Sequence, residues 1–176
     1  MTVNFGDGTT IDSGGSLGKI LQVVSTTKSD RESFSISSSS NYGTKFGTVG
    51  SFNPSITVSG SNKVYVTGHI CLSSTSSDNI GMQLMRGSTL IGAGDSHGST
   101  RRGIIGNEIM SGQRAGTSCA FNFLDTPGAG THTYTMDLYG LFAHTSTIHV
   151  NRGTTLNNNV FSLVTISVMT LLEVSA

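Results

Sequence analysis

Short segments in which apolar and polar residues alternate constrain the fold of this chain more than any other feature of its sequence. The alternation is clear in residues 63–72, KVYVTGHICL, and in residues 131–142, THTYTMDLYGLF. A period of two places successive side chains on opposite faces of a β-strand. No segment sustains the period of 3.6 residues that is typical of an amphipathic helix. In the first segment Val64, Val66, Ile70 and Leu72 share one face, and in the second Tyr134, Met136 and Leu138 share one face.

Turn signals separate these segments, and the composition favours strands joined by turns. Only 11% of the residues are charged, and 23 are glycines among many serines, threonines and asparagines, which compete with helical hydrogen bonding. TPGAG at 126–130 is the clearest turn. The segments follow one another every ~10–15 residues, which is typical of sandwiches and barrels and not of βαβ folds. We therefore predict an all-β fold, an antiparallel, jelly-roll-like β-sandwich of about 8–10 strands over residues 18–176.

The first 17 residues differ from the rest of the chain. MTVNFGDGTTIDSGGSL is small, polar and rich in glycine, so few of its side chains can pack. We predict an extended N-terminal arm over residues 1–17 that docks on a partner, with Val3, Phe5 and Ile11 as the docking candidates. Fully extended, an arm of this length reaches at most ~60 Å, which is too short for a fibre shaft.

The charge balance and the strand faces indicate the kind of partner. The formal net charge is zero, so a nucleic-acid partner is not expected. Several predicted strands carry apolar residues on both faces, which fits a sheet covered by its partner sheet on one side and by a neighbouring subunit on the other. No basic and apolar leader is visible at the start, and the apolar stretch 161–174 is too short and polar to span a bilayer. We expect synthesis in a cytoplasm and no membrane insertion.

The two cysteines, Cys71 and Cys119, are too few for a disulfide scaffold. Each lies in an apolar run, so we predict buried free thiols, because unpaired cysteine is among the most buried residue types. A bridge between the two on facing strands is the alternative.

The segment LIGAGDSHGSTRR, residues 90–102, gathers an aspartate, two serines, a histidine and two arginines. A hydrolytic triad is not expected there, because the nucleophile-elbow pattern is absent and adjacent side chains diverge. No H-x-H, C-x-x-C or H-E-x-x-H pattern occurs, and GDGTTID lacks the last carboxylate of a calcium loop, so no metal is expected. The sequence predicts a protein that is not an enzyme and needs no cofactor.

Arginines and aspartates at strand ends and in polar loops are interpreted as structural ion-pair and turn residues, because a guanidinium prefers a carboxylate partner. The candidates of this kind are Arg86, Asp95, Arg101, Arg102, Asp125 and Arg152.

Five segments in a fixed order resemble a known family: GKILQVVSTTK, MRGSTLIGAGDSHGSTRR, FLDTPGAGTHTYTMDLYG, HVNRG and VTISVMTLLEV. Together they are similar to the C-terminal β-rich domain of tail-fibre and related virion structural proteins of marine and cyanobacterial phages. The resemblance covers about Gly18 to Val174. The positions that match the family motifs are Leu84, Arg86, Ile91, Gly94, Asp95, Gly98, Arg101, Arg102, Leu124, Asp125, Pro127, Val150, Asn151 and Arg152. The adjacent arginines, His149 in an aromatic position and the ending MTLLEVSA depart from the family pattern.

The resemblance implies a homotrimeric virion protein, made in the host cytoplasm and displayed as a tail-fibre tip or host-recognition adhesin. It implies docking on other phage virion proteins of tail or capsid, here through the arm, and contact with a host-surface glycan or protein. A head-decoration or cement protein of the same fold is the alternative. A carbohydrate-binding or carbohydrate-active protein is another, although a chain with no Trp and four Tyr offers little aromatic surface to a sugar.

Overall fold

The structure is a computed structural model that describes residues 2–4, 10–12, 19–37, 44–109, 116–141, 145–156, 160 and 162–176. These residues contain fourteen β-strands and no helix, which confirms the predicted all-β class. The strands are β1 Thr2–Asn4, β2 Thr10–Asp12, β3 Ile20–Lys28, β4 Glu32–Ile36, β5 Lys45–Thr48, β6 Ser55–Val58, β7 Lys63–Ser74, β8 Asp78–Arg86, β9 Thr89–Ile91, β10 Ile105–Ile109, β11 Thr117–Asp125, β12 Gly130–Gly140, β13 Ser146–Val150 and β14 Ser167–Val174.

Twelve of these strands form two antiparallel sheets that pack face to face as a sandwich. In sheet I, the central strands β8 and β12 pair with each other. The other edge of β8 pairs with β10 and β9, one after the other. The other edge of β12 pairs with β5 and β6 in the same way. In sheet II, the central strand β7 pairs with β11 on one side. On its other side it pairs first with β14 and then with β13. The outer edge of β14 pairs with β3, and that edge of β13 pairs with β4. Each sheet is therefore about four strands wide.

The inner faces of both sheets form one apolar core. The seven apolar residues that the alternation places on one face of β7 and on one face of β12 are fully buried. Aromatic rings from neighbouring elements close the core, with Phe52 and Phe121 in edge contact at a centroid distance of 6.5 Å and Phe34 and Phe46 at 5.9 Å. The ring of Phe34 lies where a side chain at Gly47 would stand, so this strand requires glycine there.

The cysteines are free and buried, as predicted. In the pairing of β7 with β11, Cys71 is opposite Ser118 and Cys119 is opposite Ile70. Residues opposite one another share a face, so the two thiols point to opposite faces of sheet II and do not form the alternative bridge.

The structure has more strands than predicted, and some start later. β4 and β5 lie in the polar, serine-rich and glycine-rich region before Pro54, where alternation is weak. The sequence of residues 101–110 predicts a strand, and so does that of residues 160–174, but the observed strands start only at Ile105 and Ser167. Before these strands, the Ile104 backbone nitrogen donates to the Met82 carbonyl, and Val164 forms an isolated bridge with Arg152.

Within the predicted arm, β1 pairs with β2 as a short antiparallel hairpin in which Val3 is opposite Ile11. Residues 2–4 and 10–12 are thus folded back on each other instead of running in one direction. Phe5 lies outside the described residues. Docking through Val3, Phe5 and Ile11 stays a prediction.

The outer faces of both sheets are joined across strands by hydroxyl groups. Ser25 and Thr170 share a hydrogen bond of 2.9 Å on sheet II. On sheet I, the oxygens of Ser55 and Thr133 are 2.7 Å apart, and those of Thr57 and Thr131 are 2.9 Å apart. Such cross-strand pairs stabilise the sheets without charge.

Candidate functional site

A shallow trough crosses the outer face of sheet I near its β10 edge. Gly106 of β10 is opposite Gly81 of β8, which is opposite Tyr139 of β12, and Tyr139 is in turn opposite Lys45 of β5. Four residues of one cross-strand row share a face, and the first two have no side chain. The floor of the trough is therefore exposed backbone, bounded on one side by an aromatic ring.

The connection between β9 and β10 forms the wall of this trough. Its last residues are fixed to β8, because the backbone nitrogen of Ile104 donates to the Met82 carbonyl at 2.9 Å and the Gln83 side-chain amide donates to the Arg102 carbonyl. A side chain at Gly103 would collide with the Met82 carbonyl oxygen, so glycine permits this close approach. The segment that ends at Gly103 thereby carries Arg101 and Arg102 onto the outer face of sheet I.

Trough and wall enclose a pocket of about 250 Å³ that is open to solvent. Its position coincides with the segment 90–102 that the sequence singles out. The lining residues are Gly81, Gln83, Gly94, Asp95, Arg101, Arg102, Gly103, Ile105, Gly106, Tyr139 and Leu141.

The pocket contains two guanidinium groups that form no ion pair with any carboxylate the structure describes. The Arg101 guanidinium lies 5.9 Å from the centroid of the Tyr139 ring, a cation–π distance. None of the ion pairs found among the described residues joins Asp95 to Arg101 or Arg102. The nearby carboxylate of Asp137 is already bound, by the Lys45 ammonium at 2.9 Å and by the Thr48 hydroxyl.

Arg86 and Asp125, also named from the sequence, meet at one end of the sandwich interior. One guanidinium nitrogen of Arg86 donates to both oxygens of Asp125 at 2.8 Å. The Tyr134 hydroxyl donates to the same carboxylate at 2.8 Å, and the backbone nitrogen of Thr126 donates at 2.9 Å. Burial and the adjacent carboxylate raise the pKa of Tyr134 well above its ordinary value. This ion pair joins sheet I to sheet II, which is a structural role.

Asn151 lies where the partner of β7 changes from β14 to β13. Its φ of 60° turns the chain, and its backbone nitrogen donates to the Cys71 carbonyl at 3.0 Å. Its side-chain amide donates to the Lys28 and Asp30 carbonyls at 2.8 and 3.0 Å and accepts from the Ser167 hydroxyl at 2.6 Å. A fully buried side chain thus satisfies backbone groups that no ladder reaches.

Arg152 holds the chain just after Asn151. Its guanidinium donates to the carbonyls of Gly153 and Thr154, and its own carbonyl accepts from the Ser73 hydroxyl at 2.7 Å. The pKa of the His149 imidazole is lowered mainly by burial and to a smaller extent by the positive charge of Arg152.

Sequence reasoning missed two buried charges. Lys28 is 1% exposed and pairs with Asp30 at 2.8 Å and Glu32 at 3.2 Å, and its hydrogen bond lowers the pKa of Asp30. Glu173 accepts from the Ser59 backbone nitrogen and the Asn62 amide, which lowers its pKa. The cluster of charged residues in KSDRE, residues 28–32, was the sequence signal that could have indicated the buried Lys28.

The two guanidinium groups of the pocket are of a type that can contact an anion. Asp95, Ser96 and His97 are all exposed, and the His97 ring lies 3.5 Å from the Thr100 hydroxyl. Among the side chains that the structure describes, no three of the types His, Cys, Asp and Glu gather into a metal site. The described segments also include no helix long and apolar enough to cross a bilayer.

No protein-family model matches this sequence, and no curated protein matches it. Among solved structures, the chain is similar to one in the structure of the infectious bursal disease virus Gx strain, with a TM-score of 0.44 and 13% sequence identity. The similarity covers 88% of this chain and 39% of the viral chain, so this chain spans less than half the length of that one.

Proposed function

We propose that the chain is a structural protein of a phage virion, displayed as a homotrimer at a tail-fibre tip or as a host-recognition adhesin. On this proposal it is not an enzyme, and its arm docks on another virion protein. The observation that carries the proposal is an apolar, uncharged surface on the outer face of sheet II. The ordered motifs from Gly18 to Val174 supply the virion context.

That surface is a row of four side chains that crosses the whole width of sheet II. Leu124 of β11 is opposite Tyr65 of β7, which is opposite Leu172 of β14, which is opposite Val23 of β3. Three of them are strongly exposed, Leu124 by 48%, Tyr65 by 37% and Val23 by 58%. We call these four residues the apolar row. A continuous apolar patch of this kind marks an interaction surface.

The next two rows toward the C-terminal end of β7 carry no fixed charge, whereas the row on the other side of the apolar row contains Lys63. These next two rows consist of small polar or apolar side chains, and only one member is titratable. The two rows are Asn122, Thr67, Thr170, Ser25 and Ala120, His69, Val168, Thr27. A surface without fixed charges can be covered by a subunit at little desolvation cost, which is the character of the centre of a permanent interface.

A second apolar patch lies beside the first. It precedes β14 and consists of Val160, Leu163, Val164 and Ile166, which are all at least 48% exposed. The ring of His69 contacts the Ile166 carbonyl at 3.2 Å and so holds this segment next to sheet II. Two different patches on one chain fit a head-to-tail interface, in which the apolar row of one copy contacts the second patch of the next copy. Three copies arranged in this way close a ring.

Sedimentation equilibrium tests the assembly. The chain is expected to sediment at three times its mass of 18.3 kDa. Val23→Lys places a charge in the apolar row and should shift the equilibrium to folded monomer. Asn53→Lys, at an exposed position before β6, is the matched control and should stay trimeric. A wild-type chain that is monomeric at all concentrations would contradict the proposal.

Imaging of labelled chains on particles tests the location. Label at the tail tip is expected, whereas label over the head would replace the fibre-tip assignment by head decoration. Deletion of residues 2–16 should abolish attachment to particles while the sandwich keeps its circular dichroism spectrum. If the deletion unfolds the sandwich, the segment is part of the core and is not a docking arm.

A further inference from the structure

We propose that the glycine-floored pocket on sheet I binds an acidic sugar residue, that is, a sugar ring with one carboxylate and several hydroxyl groups. This inference deepens the proposed adhesin role and rests on it for its biological setting. Binding itself is a property of the isolated chain.

The first argument is the pair of unpaired cations. Arg101 and Arg102 both line the pocket and are exposed, and no carboxylate of the described residues forms an ion pair with either. A guanidinium fork matches the geometry of a carboxylate with two parallel hydrogen bonds. The Gln83 side-chain amide donates to the Arg102 carbonyl, so the backbone that carries the two cations is held in place without a ligand.

The second argument is the charge balance of the lining. Two arginines and one aspartate, Asp95, give the pocket a formal charge of +1. A monoanion neutralises this charge, whereas a phosphate dianion would bring excess negative charge close to Asp95. An ionised aspartate only accepts hydrogen bonds, so it selects a ligand that carries hydroxyl donors beside its acid group.

The third argument is the space. The volume of about 250 Å³ lies just below that of pockets for drug-sized ligands, and it is suited to a single ring. A side chain at Gly106 would meet no atom within 4 Å, so packing does not require glycine there and its absence of a side chain keeps the pocket open. The exposed strand backbone and the Tyr139 ring provide polar and apolar contacts for the two sides of a sugar.

The test is an NMR titration of the full isotope-labelled chain with D-glucuronate, D-glucose and inorganic phosphate. Glucuronate is expected to shift the amide signals of Gly81, Gly106 and Arg102 in a saturable way. Glucose should bind at least tenfold more weakly, because it lacks the carboxylate. Equal affinity for glucose, equal affinity for phosphate at the same amides, or no binding of glucuronate would overturn the proposal.

Two variants address the pocket itself. Gly106→Val fills it with a residue that suits a strand, and Arg102→Ala removes one cation; each should weaken glucuronate binding at least tenfold. Arg31→Ala removes an exposed arginine between β3 and β4 and should leave binding unchanged. If Gly106→Val fails to fold, Arg102→Ala decides, and unchanged binding by it would refute the inference.

The outcome separates this inference from the proposed function. Trimers and tail-tip label with no glucuronate binding would leave the virion role intact and reject the pocket assignment. Saturable binding by a chain that is absent from particles would support the pocket assignment and reject the virion role.

Discussion

Removal of the Asp125 carboxylate is expected to destabilise the domain more than any other single polar change considered for this chain. Asp125→Ala deletes the acceptor of four hydrogen bonds, two from Arg86 and one each from Tyr134 and Thr126. The Asp125 side chain is 6% exposed and that of Arg86 is 22% exposed, so the substitution leaves a largely buried cation without a partner.

The magnitude follows from these contacts. Breaking a buried ion pair by removing one partner costs ~3–5 kcal/mol, and access of some water to Arg86 places this pair at the lower end. The fully buried Tyr134 hydroxyl also loses its acceptor, which costs a further ~1–3 kcal/mol. We expect a total loss of about 4 kcal/mol in the free energy of unfolding.

A double-mutant cycle isolates the ion pair from the packing. Arg86→Met alone leaves Asp125 buried with two neutral donors and should cost about 3 kcal/mol. The double variant Arg86→Met, Asp125→Ala removes both charges, so its loss should fall short of the sum of the single losses by about 2 kcal/mol. Tyr134→Phe should cost about 1.5 kcal/mol, because the carboxylate keeps its other donors.

The assay is urea unfolding followed by circular dichroism, with all variants placed in the Val23→Lys background. Association stabilises a folded chain by mass action, so a monomeric background keeps the measured free energy a property of the sandwich. The slope of the free energy of unfolding against urea concentration should be the same in every variant. A loss below ~1 kcal/mol for Asp125→Ala, or additive losses in the cycle, would refute the view that this pair clamps the two sheets.

Three further outcomes are expected. Gly47→Ala should cost about 1–3 kcal/mol in urea unfolding because the ring of Phe34 occupies the space of the new side chain, whereas Gly106→Ala, in open space, should cost about 1 kcal/mol or less. Asn151→Ala should cost at least about 3 kcal/mol in the same assay, because buried carbonyls lose their donors and a residue with φ of 60° loses a favourable side chain. The lowered pKa of His149 means that the unfolded chain binds its proton first, so stability should fall as pH drops below the ordinary value near 6.5, with a slope of at most ~1.4 kcal/mol per pH unit. His149→Gln should remove that part of the slope, and an unchanged pH profile would contradict burial of a neutral imidazole.

The fold class was predictable because local alternation decides which side chains can be buried. β7 and β12 alternate over many residues, and their inward positions follow directly from the sequence. β4 and β5 were not predictable, because their pairing partners, β13 and β12, lie far along the chain and supply the order that the local sequence lacks. Tertiary pairing, not propensity, makes these segments strands.

The candidate site was predictable only in part. The sequence singles out the segment that carries Asp95, Arg101 and Arg102, because those residue types are rare in so uncharged a chain. It gives no sign that Gly81 and Gly106 are opposite each other, because that depends on the register of two strands. The interpretation of Arg101 and Arg102 as ion-pair residues has no counterpart among the ion pairs of the described residues, whereas Arg86 and Asp125 do form one.

The hydroxyl pairs that join strands on the outer faces have a consequence for the environments in which the domain can work. Dissolved salt weakens attractions between exposed charges within a Debye length of ~8–10 Å, and pairs such as Ser55 with Thr133 contain no charge to screen. The Arg86–Asp125 clamp is largely buried and the Lys28 ammonium is 1% exposed, so salt screens these charges only weakly. Electrostatic screening by dissolved salt is therefore expected to change the stability of the sandwich little.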